Sequence, residues 1–277
     1  MNAADPEGQL AELALDIARA AARLIRERRE TGVTVAATKS SETDVVTETD
    51  REVEELIRSL LAEARPDDGI VGEEGRDEPG ASGVRWIVDP IDGTVNFLYD
   101  IPQYAVSVAA ERNGVVVAGV VLHVARDTAY VGRRETRPDG TTTVTAHRDG
   151  TPLSVRPPAP LSQRLIGTGF SYEARIRAIQ AAAVSRLLPE VRDIRRFGSC
   201  ALDLCHVAEG LLDGYVEEGV NLWDHAAGAL IAEGAGAHCE LAPGAGGQQL
   251  LLCAPAHGFD EFREAVEDAG FLANSGE

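Results

Sequence analysis

The chain of 277 residues almost lacks lysine: Lys39 is the only one, and every other fixed positive charge is arginine. Near-complete use of arginine points to genomic base composition; the lysine that survives is either a chance surface residue or a place needing a compact, flexible ammonium. Aromatic residues are few, at 5%, so the core must be built from aliphatic side chains. Positive charge is scarce overall. The formal net charge of −19, with no basic stripe, argues against nucleic acid as a partner. The four cysteines, Cys200, Cys205, Cys239 and Cys253, form no CxxC pair and lie in apolar surroundings. They read as buried free thiols, which excludes a zinc ribbon or a disulfide framework. No apolar run reaches membrane-spanning length, and the N-terminus is acidic and polar, so the expectation is a soluble, cytoplasmic protein without membrane contact.

What is present is an ordinary aliphatic content and enough length for one large domain or two closely packed halves. Leu10, Leu13, Ile17, Ala21, Leu24 and Ile25 recur at helical spacing, which predicts an amphipathic helix over 8–30. The polar, β-branched stretch 31–46 reads as a loop or hairpin. A second helix is expected over 50–65, ending before Pro66. Ile70-Val71 and 84–88 read as buried strands, and 104–111, 115–123 and 128–132 as antiparallel neighbours, with Asn113-Gly114 as a hairpin turn. Residues 134–152 are expected to be a surface hairpin or loop of low order. From 165 onward strands and helices alternate: strands at 165–170, 191–196, 214–218 and 250–254, helices at 173–188, 200–210, 224–233 and 259–269. The fold class is therefore α/β, with an α+β first half (1–152) and an α/β second half (153–277) forming one compact unit.

The most informative segment is Asp89-Pro90-Ile91-Asp92-Gly93-Thr94-Val95-Asn96-Phe97. Two carboxylates three residues apart follow a buried strand on a turn containing Pro and Gly. Such a turn can aim both carboxylates and a backbone carbonyl at one hard divalent cation. The N–H groups of Gly93 and Thr94 would receive an anion if a helix begins there. Cation and anion together imply phosphate chemistry, and an acidic protein handling phosphate needs bound metal as its positive charge.

Three further acidic clusters end an apolar segment or begin a helix: Asp44 to Asp50, Gly72-Glu73-Glu74, and Trp223-Asp224. If Asp50, Glu73, Asp89, Asp92 and Asp224 converge, their repulsion requires a compensating cation. Two or three Mg²⁺ ions would relieve it. In two-metal hydrolysis one ion acidifies a water and the other stabilises the leaving oxygen, with Asp89 the candidate bridge. Each cluster also has a plainer reading. Asp89–Thr94 is compatible with an Asx-capped turn, Glu73-Glu74 with solvated loop acids, and Asp50 and Asp224 with helix-start acids. Spacing alone does not bring the clusters together.

Taken in order, Lys39-Ser40-Ser41, Asp44-Val45-Val46-Thr47-Glu48-Thr49-Asp50, Gly72-Glu73-Glu74, the 89–97 segment and Trp223-Asp224-His225-Ala226-Ala227-Gly228 resemble the inositol monophosphatase family of Mg²⁺-dependent, lithium-sensitive phosphomonoesterases. The resemblance covers nearly the whole chain. Gly167-Thr168-Gly169-Phe170 and Gly198-Ser199-Cys200-Ala201-Leu202-Asp203-Leu204 look most like bacterial, particularly actinobacterial, members. It implies a layered αβαβα sandwich, usually a homodimer. Glu73, Asp89 and the Ile91 carbonyl would hold one metal, and Asp89, Asp92 and Asp224 a second; Glu73 would also face a weaker third. Asp50 and Thr94 would position and deprotonate the attacking water. Gly93 and Thr94 would bind phosphate, with Asp92 and Asp224 also facing the substrate. Lys39 would lie near the metal cluster. Ser199 and Cys200 would flank the polyol, and Glu217 would accept one of its hydroxyls, although the adjacent Glu218 leaves the register open.

Residues 132–150 depart from the family pattern, carrying Arg133, Arg134, Arg137 and Arg148 in place of a glycine-rich hairpin; Cys200 stands where alanine is frequent. The expected activity is hydrolysis of inositol 1-phosphate by metal-activated water. Relatives sharing these motifs act on histidinol phosphate, fructose 1,6-bisphosphate or 3′-phosphoadenosine nucleotides, and some serve as transcription or ribosome-assembly partners.

Overall fold

The computed structural model describes residues 6–31, 35–38, 45–137 and 139–273. The N-terminal half contains α1 (Pro6–Thr31), β1 (Val35–Thr38), β2 (Val45–Thr47), α2 (Glu48–Ala64), β3 (Gly69–Gly72), β4 (Val84–Asp92) and α3 (Thr94–Leu98). It continues through β5 (Ala105–Arg112), β6 (Val115–His123), β7 (Thr128–Thr136), β8 (Thr142–Arg148) and β9 (Thr151–Pro152). The C-terminal half comprises β10 (Leu165–Thr168), α4 (Ala174–Leu187), β11 (Asp193–Arg195), α5 (Cys200–Ala208), β12 (Gly214–Glu218), α6 (Leu222–Gly234), β13 (Ala237–Pro243), β14 (Gln249–Pro255) and α7 (Phe259–Asp268).

Strand alternation sorts the apolar side chains into separate cores. On β4 and β5, Trp86, Val88, Val106 and Val108 face α1 and α2, packing with Ala14, Ile17, Ala21, Ile57 and Leu61. Ile87, Ala105 and Ala109 face the opposite way, onto Leu202, Leu204 and Cys205 of α5 and Ala227 and Ile231 of α6. The far side of those helices meets Tyr215, Leu251 and Cys253 of the second sheet. That sheet's outer face, Ile166, Val216, Leu250 and Leu252, carries Ala183, Leu187, Phe262 and Val266 of α4 and α7. The result is five layers: α1–α2, a seven-stranded sheet ordered β3-β4-β5-β6-β7-β8-β9, α5–α6, a five-stranded sheet ordered β11-β10-β12-β14-β13, and α4–α7. The sandwich implied by the family resemblance is the fold.

Three local expectations need correction. Residues 134–152 are ordered strand rather than low-order loop: β7 runs to Thr136, and β8 pairs with it from Tyr130↔Arg148 to Thr136↔Thr142. The β-branched run Thr141-Thr142-Thr143-Val144-Thr145 favours strand, and Arg134, whose Nη1 donates to Glu233 Oε1 at 3.0 Å, ties the sheet to α6. β13 was missed because Glu240 and the glycines around it obscure its alternation. The second sheet is consequently mixed: β10 runs parallel to β11 and β12, but β14 is antiparallel to both β12 and β13. Finally, β4 does not stop before the acids; it continues through Asp92. No helix among the described residues is long and apolar enough to cross a membrane.

Candidate active site

The extension of β4 solves a parity problem. Side chains three positions apart on a regular strand point to opposite faces, yet Asp89 and Asp92 line the same cavity. The β4–β5 register accounts for it: Asp89 pairs with Ser107 and Asp92 with Ala105, so three steps on β4 match two on β5. One extra residue is bulged out around Pro90-Ile91, where proline gives up no ladder donor. Ile91 drops its side chain into the α1–α2 core, and Asp92 returns to the face of Asp89. Gly93 then turns the chain into α3 at φ +97°. A Cβ there would stand 2.8 Å from the Gln103 carbonyl, so only glycine fits.

The cavity, about 370 Å³, lies where the two sheets and α6 meet; Glu73, Asp89, Ile91, Asp92, Gly93, Thr94, Cys200, Glu217 and Asp224 all line it. Burial pushes the Asp89 carboxyl far above the usual carboxylate range, reinforced by the charges of Glu73, Asp92 and Asp224. Asp224 is raised by the same cause, burial first and Asp92 and Glu73 next. Asp92 is pushed up to about 7 by burial, against the opposing bonds from Ser199 and Ala201. These acids therefore share one low-dielectric space and repel one another.

Asp92 and Asp224 each have one oxygen held by a local donor. Asp92 Oδ2 accepts from Ser199 Oγ at 2.5 Å and from the Ala201 N–H at 2.7 Å. Asp224 Oδ2 accepts the Asn221 N–H at 2.6 Å, closing a capping box at the start of α6. Asp89 Oδ1 is buried with no hydrogen-bond partner. Among the described residues no three His, Cys, Asp or Glu side chains are gathered tightly enough to form a metal cage, because local donors and mutual repulsion hold the oxygens apart. A buried carboxylate oxygen without a donor, beside three other acids, is nevertheless the environment a hard divalent cation fits.

Asp50 occupies the third position of α2 and serves two neighbours. Its Oδ2 accepts from the Thr47 N–H at 2.9 Å and from the Thr47 hydroxyl, completing a capping box. Its Oδ1 accepts from Thr94 Oγ1 at 3.0 Å, and the same hydroxyl lies 3.0 Å from the Ile91 carbonyl. Asp50 is fully buried behind Thr94. The helix-start reading and the functional reading of Asp50 thus describe two oxygens of one carboxylate, and Asp224 follows the same pattern.

On the opposite wall Glu217 accepts a hydrogen bond from the Tyr215 hydroxyl. Burial raises its carboxyl, while the Tyr215 hydroxyl and the Arg196 guanidinium pull it back. The neighbouring Glu218 is committed elsewhere, accepting the N–H groups of Gly246 and Gln248 at 3.0 Å each. Gly169 explains part of the Gly-Thr-Gly segment: a Cβ there would land on the Glu217 carboxylate. Gly169→Ala is therefore expected to displace Glu217 and raise KM severalfold with little change in kcat, checked by steady-state kinetics.

Two contributors escaped the sequence reading. Glu54, buried on α2, accepts the N–H groups of Glu74 and Gly75 at 2.7 and 2.8 Å and so clamps the loop carrying Glu73. The available signal was a charge inside the Val53–Ile57–Leu61 stripe, one turn after Asp50. Arg196 lines the cavity beside Glu217 and sits in the sequence next to the glycine-serine turn. Asn96 was quoted but given no role; its Nδ2 donates to Gln103 O and Phe197 O at 2.8 and 2.7 Å, fastening α3 to the turn that carries Ser199 and Cys200. Lys39 and Asp44 lie outside the described residues.

The profile of the inositol monophosphatase family matches residues 7–268. The inositol-1-monophosphatase SuhB of Mycobacterium tuberculosis strain H37Rv is 44% identical over 279 aligned positions, 94% of this chain and 93% of that protein. Its relative in Pasteurella multocida, named Nus factor SuhB, is 36% identical over 81% of this chain and 82% of its own length. Among solved structures, M. tuberculosis SuhB superposes with a TM-score of 0.78 at 40% identity, covering 97% of this chain and all of that one.

Proposed function

The chain belongs to the inositol monophosphatase family and is a phosphatase; from that premise we propose that it hydrolyses inositol 1-phosphate in a Mg²⁺-dependent reaction. The observation that carries the reading is the meeting of Glu73, Asp89, Asp92 and Asp224 in one cavity, with the donorless Asp89 Oδ1 among them. Mg²⁺ held by Glu73, Asp89, the Ile91 carbonyl, Asp92 and Asp224 would supply positive charge against the phosphate and acidify a water.

The protein's own groups do the rest. Thr94 Oγ1, hydrogen-bonded to Asp50, can pass its proton to that carboxylate while taking one from the attacking water. Asp50 suits the task because its second oxygen is anchored by Thr47, which fixes the orientation of the first. Gly93 and Thr94 border the cavity where the phosphate would sit, and Ser199 and Cys200 border the polyol. Ser199 also holds Asp92 in place. Glu217, with its orientation set by Tyr215, would accept a substrate hydroxyl.

Phosphate release from inositol 1-phosphate, histidinol phosphate, fructose 1,6-bisphosphate and 3′-phosphoadenosine 5′-phosphate, with Mg²⁺ and with EDTA, tests the proposal. Mg²⁺-dependent release led by inositol 1-phosphate is expected; preference for another member moves the substrate, and activity undiminished in EDTA removes the metal. Thr94→Ala is expected to lower kcat by roughly 100-fold or more while leaving KM nearly unchanged, as loss of a proton-transfer partner would. Glu217→Gln should shift preference among polyol phosphates; equal losses on all of them would remove it from that role. The relative named Nus factor SuhB favours a second, coexisting reading as a binding partner. An Asp89→Asn protein used as bait keeps that surface while silencing catalysis, and recovery of no partner sinks it.

A further inference from the structure

Cys239 on β13 and Cys253 on β14 are direct cross-strand partners. The hydrogen bonds at the two ends of this ladder fix what kind of pair they form. Gly244 N–H donates to Gln248 O at 2.8 Å and Ala256 N–H to Gly236 O at 3.0 Å. Pairs 244/248 and 236/256 are therefore hydrogen-bonded, and strict alternation between them makes 239/253 a non-hydrogen-bonded pair. In such pairs the Cα atoms stand about 4.5 Å apart and the side chains approach most closely. A disulfide spans Cα separations of roughly 4.4–6.8 Å. The two thiols already meet in hydrogen-bond contact.

Their surroundings differ. Cys239 is half-buried and borders an open cleft with Val115, His238 and Leu241. Cys253 is fully buried, and burial pushes its thiol up, with Cys200 and Cys205 close enough to add to the shift. A small oxidant reaches Cys239 first and Cys253 only through it. Cys253 is also the register partner of Tyr215 on β12, whose hydroxyl holds Glu217 at the cavity wall. One row of side chains thus runs Cys239–Cys253–Tyr215 across the sheet on the face turned toward the site.

We propose that Cys239 and Cys253 form a reversible disulfide when a hydroperoxide reaches Cys239, and that its closure disturbs the Tyr215–Glu217 wall. The Cys239 sulfur attacks a peroxide oxygen, the O–O bond breaks, a sulfenic acid forms and, from hydrogen peroxide, water leaves. The Cys253 sulfur then attacks the sulfenic sulfur; the S–S bond forms, the S–O bond breaks, and a second water departs with the Cys253 proton. Two electrons pass from the sulfurs to the peroxide oxygens, and a dithiol reductant reverses the step by exchange. The effect on activity rests on Glu217 as a substrate contact, so it falls on KM, whereas Asp89 and Asp92 lie in the other sheet.

The test uses the full chain, reduced and then treated with hydrogen peroxide. Trypsin is unsuitable, since no Lys or Arg lies between Arg196 and Arg263 and all four cysteines share one peptide. Cleavage after glutamate separates them, with Cys239 in 234–240, Cys253 in 241–261, and Cys200 and Cys205 in 191–209. The expected product is 234–240 linked to 241–261 with loss of two hydrogens. KM for inositol 1-phosphate should rise about threefold or more at nearly constant kcat. Dithiothreitol should reverse both, and Cys239→Ser should remove both. A link from Cys253 to 191–209, or a sulfinic acid on Cys239 without any link, overturns the pairing. The expected link with KM unmoved overturns the coupling. Failure of the untreated protein to release phosphate from any substrate counts against the phosphatase substrate reading instead, and the peptide map still decides the disulfide.

Discussion

Asp89→Asn should lower Mg²⁺-dependent turnover by roughly a hundredfold or more, as should Asp92→Asn and Asp224→Asn. For Asp89 a second, opposite effect is expected on stability. Its carboxylate is buried, repelled by Glu73, Asp92 and Asp224, and has an oxygen without a donor. Replacing it with a neutral amide removes that repulsion, so the metal-free variant should melt at or above the metal-free parent. The parent should gain stability with Mg²⁺, by about 2.7 kcal/mol at a hundred times Kd, whereas the variant should gain much less. Thermal melts with and without Mg²⁺, alongside turnover, separate this from simple misfolding. Near-normal turnover, or an undiminished Mg²⁺ stabilisation, would remove Asp89 from the metal set.

Glu54→Ala should be the most damaging substitution away from the cavity wall. Glu54 is 2% exposed and pairs with Arg58, itself 15% exposed, at 2.8 Å. Its oxygens also receive the Glu74 and Gly75 N–H groups. Deleting the carboxylate leaves a largely buried guanidinium unpaired and two backbone donors unsatisfied, a loss of about 3 kcal/mol or more. Urea denaturation reads that loss. Because the freed loop carries Glu73, the fraction still folded should also bind Mg²⁺ more weakly. Parent-like stability together with parent-like Mg²⁺ dependence would mean the loop holds itself. Glu54→Gln, which keeps an acceptor for one of the loop N–H groups, should lie between the two.

Much of this was legible in the chain. The apolar spacing of α1 and α2, and the strand-ending acid clusters, follow from local periodicity, which the fold obeys within a residue or two at α2 and β12. β13 was not legible, because its inner residues Ala237, Cys239 and Leu241 alternate with polar ones only weakly and its partner β14 supplies the burial. The 134–152 segment misled for a related reason: its Arg and Thr side chains look solvated, yet Arg134 lies against α6 and Ala146 is buried beneath it.

The sequence by itself determined the kinds of groups available: an acidic chain with one lysine, four free thiols and carboxylates placed at the ends of strands and the starts of helices. Those are properties of composition and local spacing. Only the tertiary structure decided which of them meet. A single extra residue in β4 turned Asp89 and Asp92 to one face, and Asp50 reached Thr94 across 44 positions of chain. Glu217 rather than Glu218 was left to the cavity because the Gly246–Gln248 turn captures its neighbour. Register and long-range packing carry that information, and neither is written in the spacing of residues along one strand.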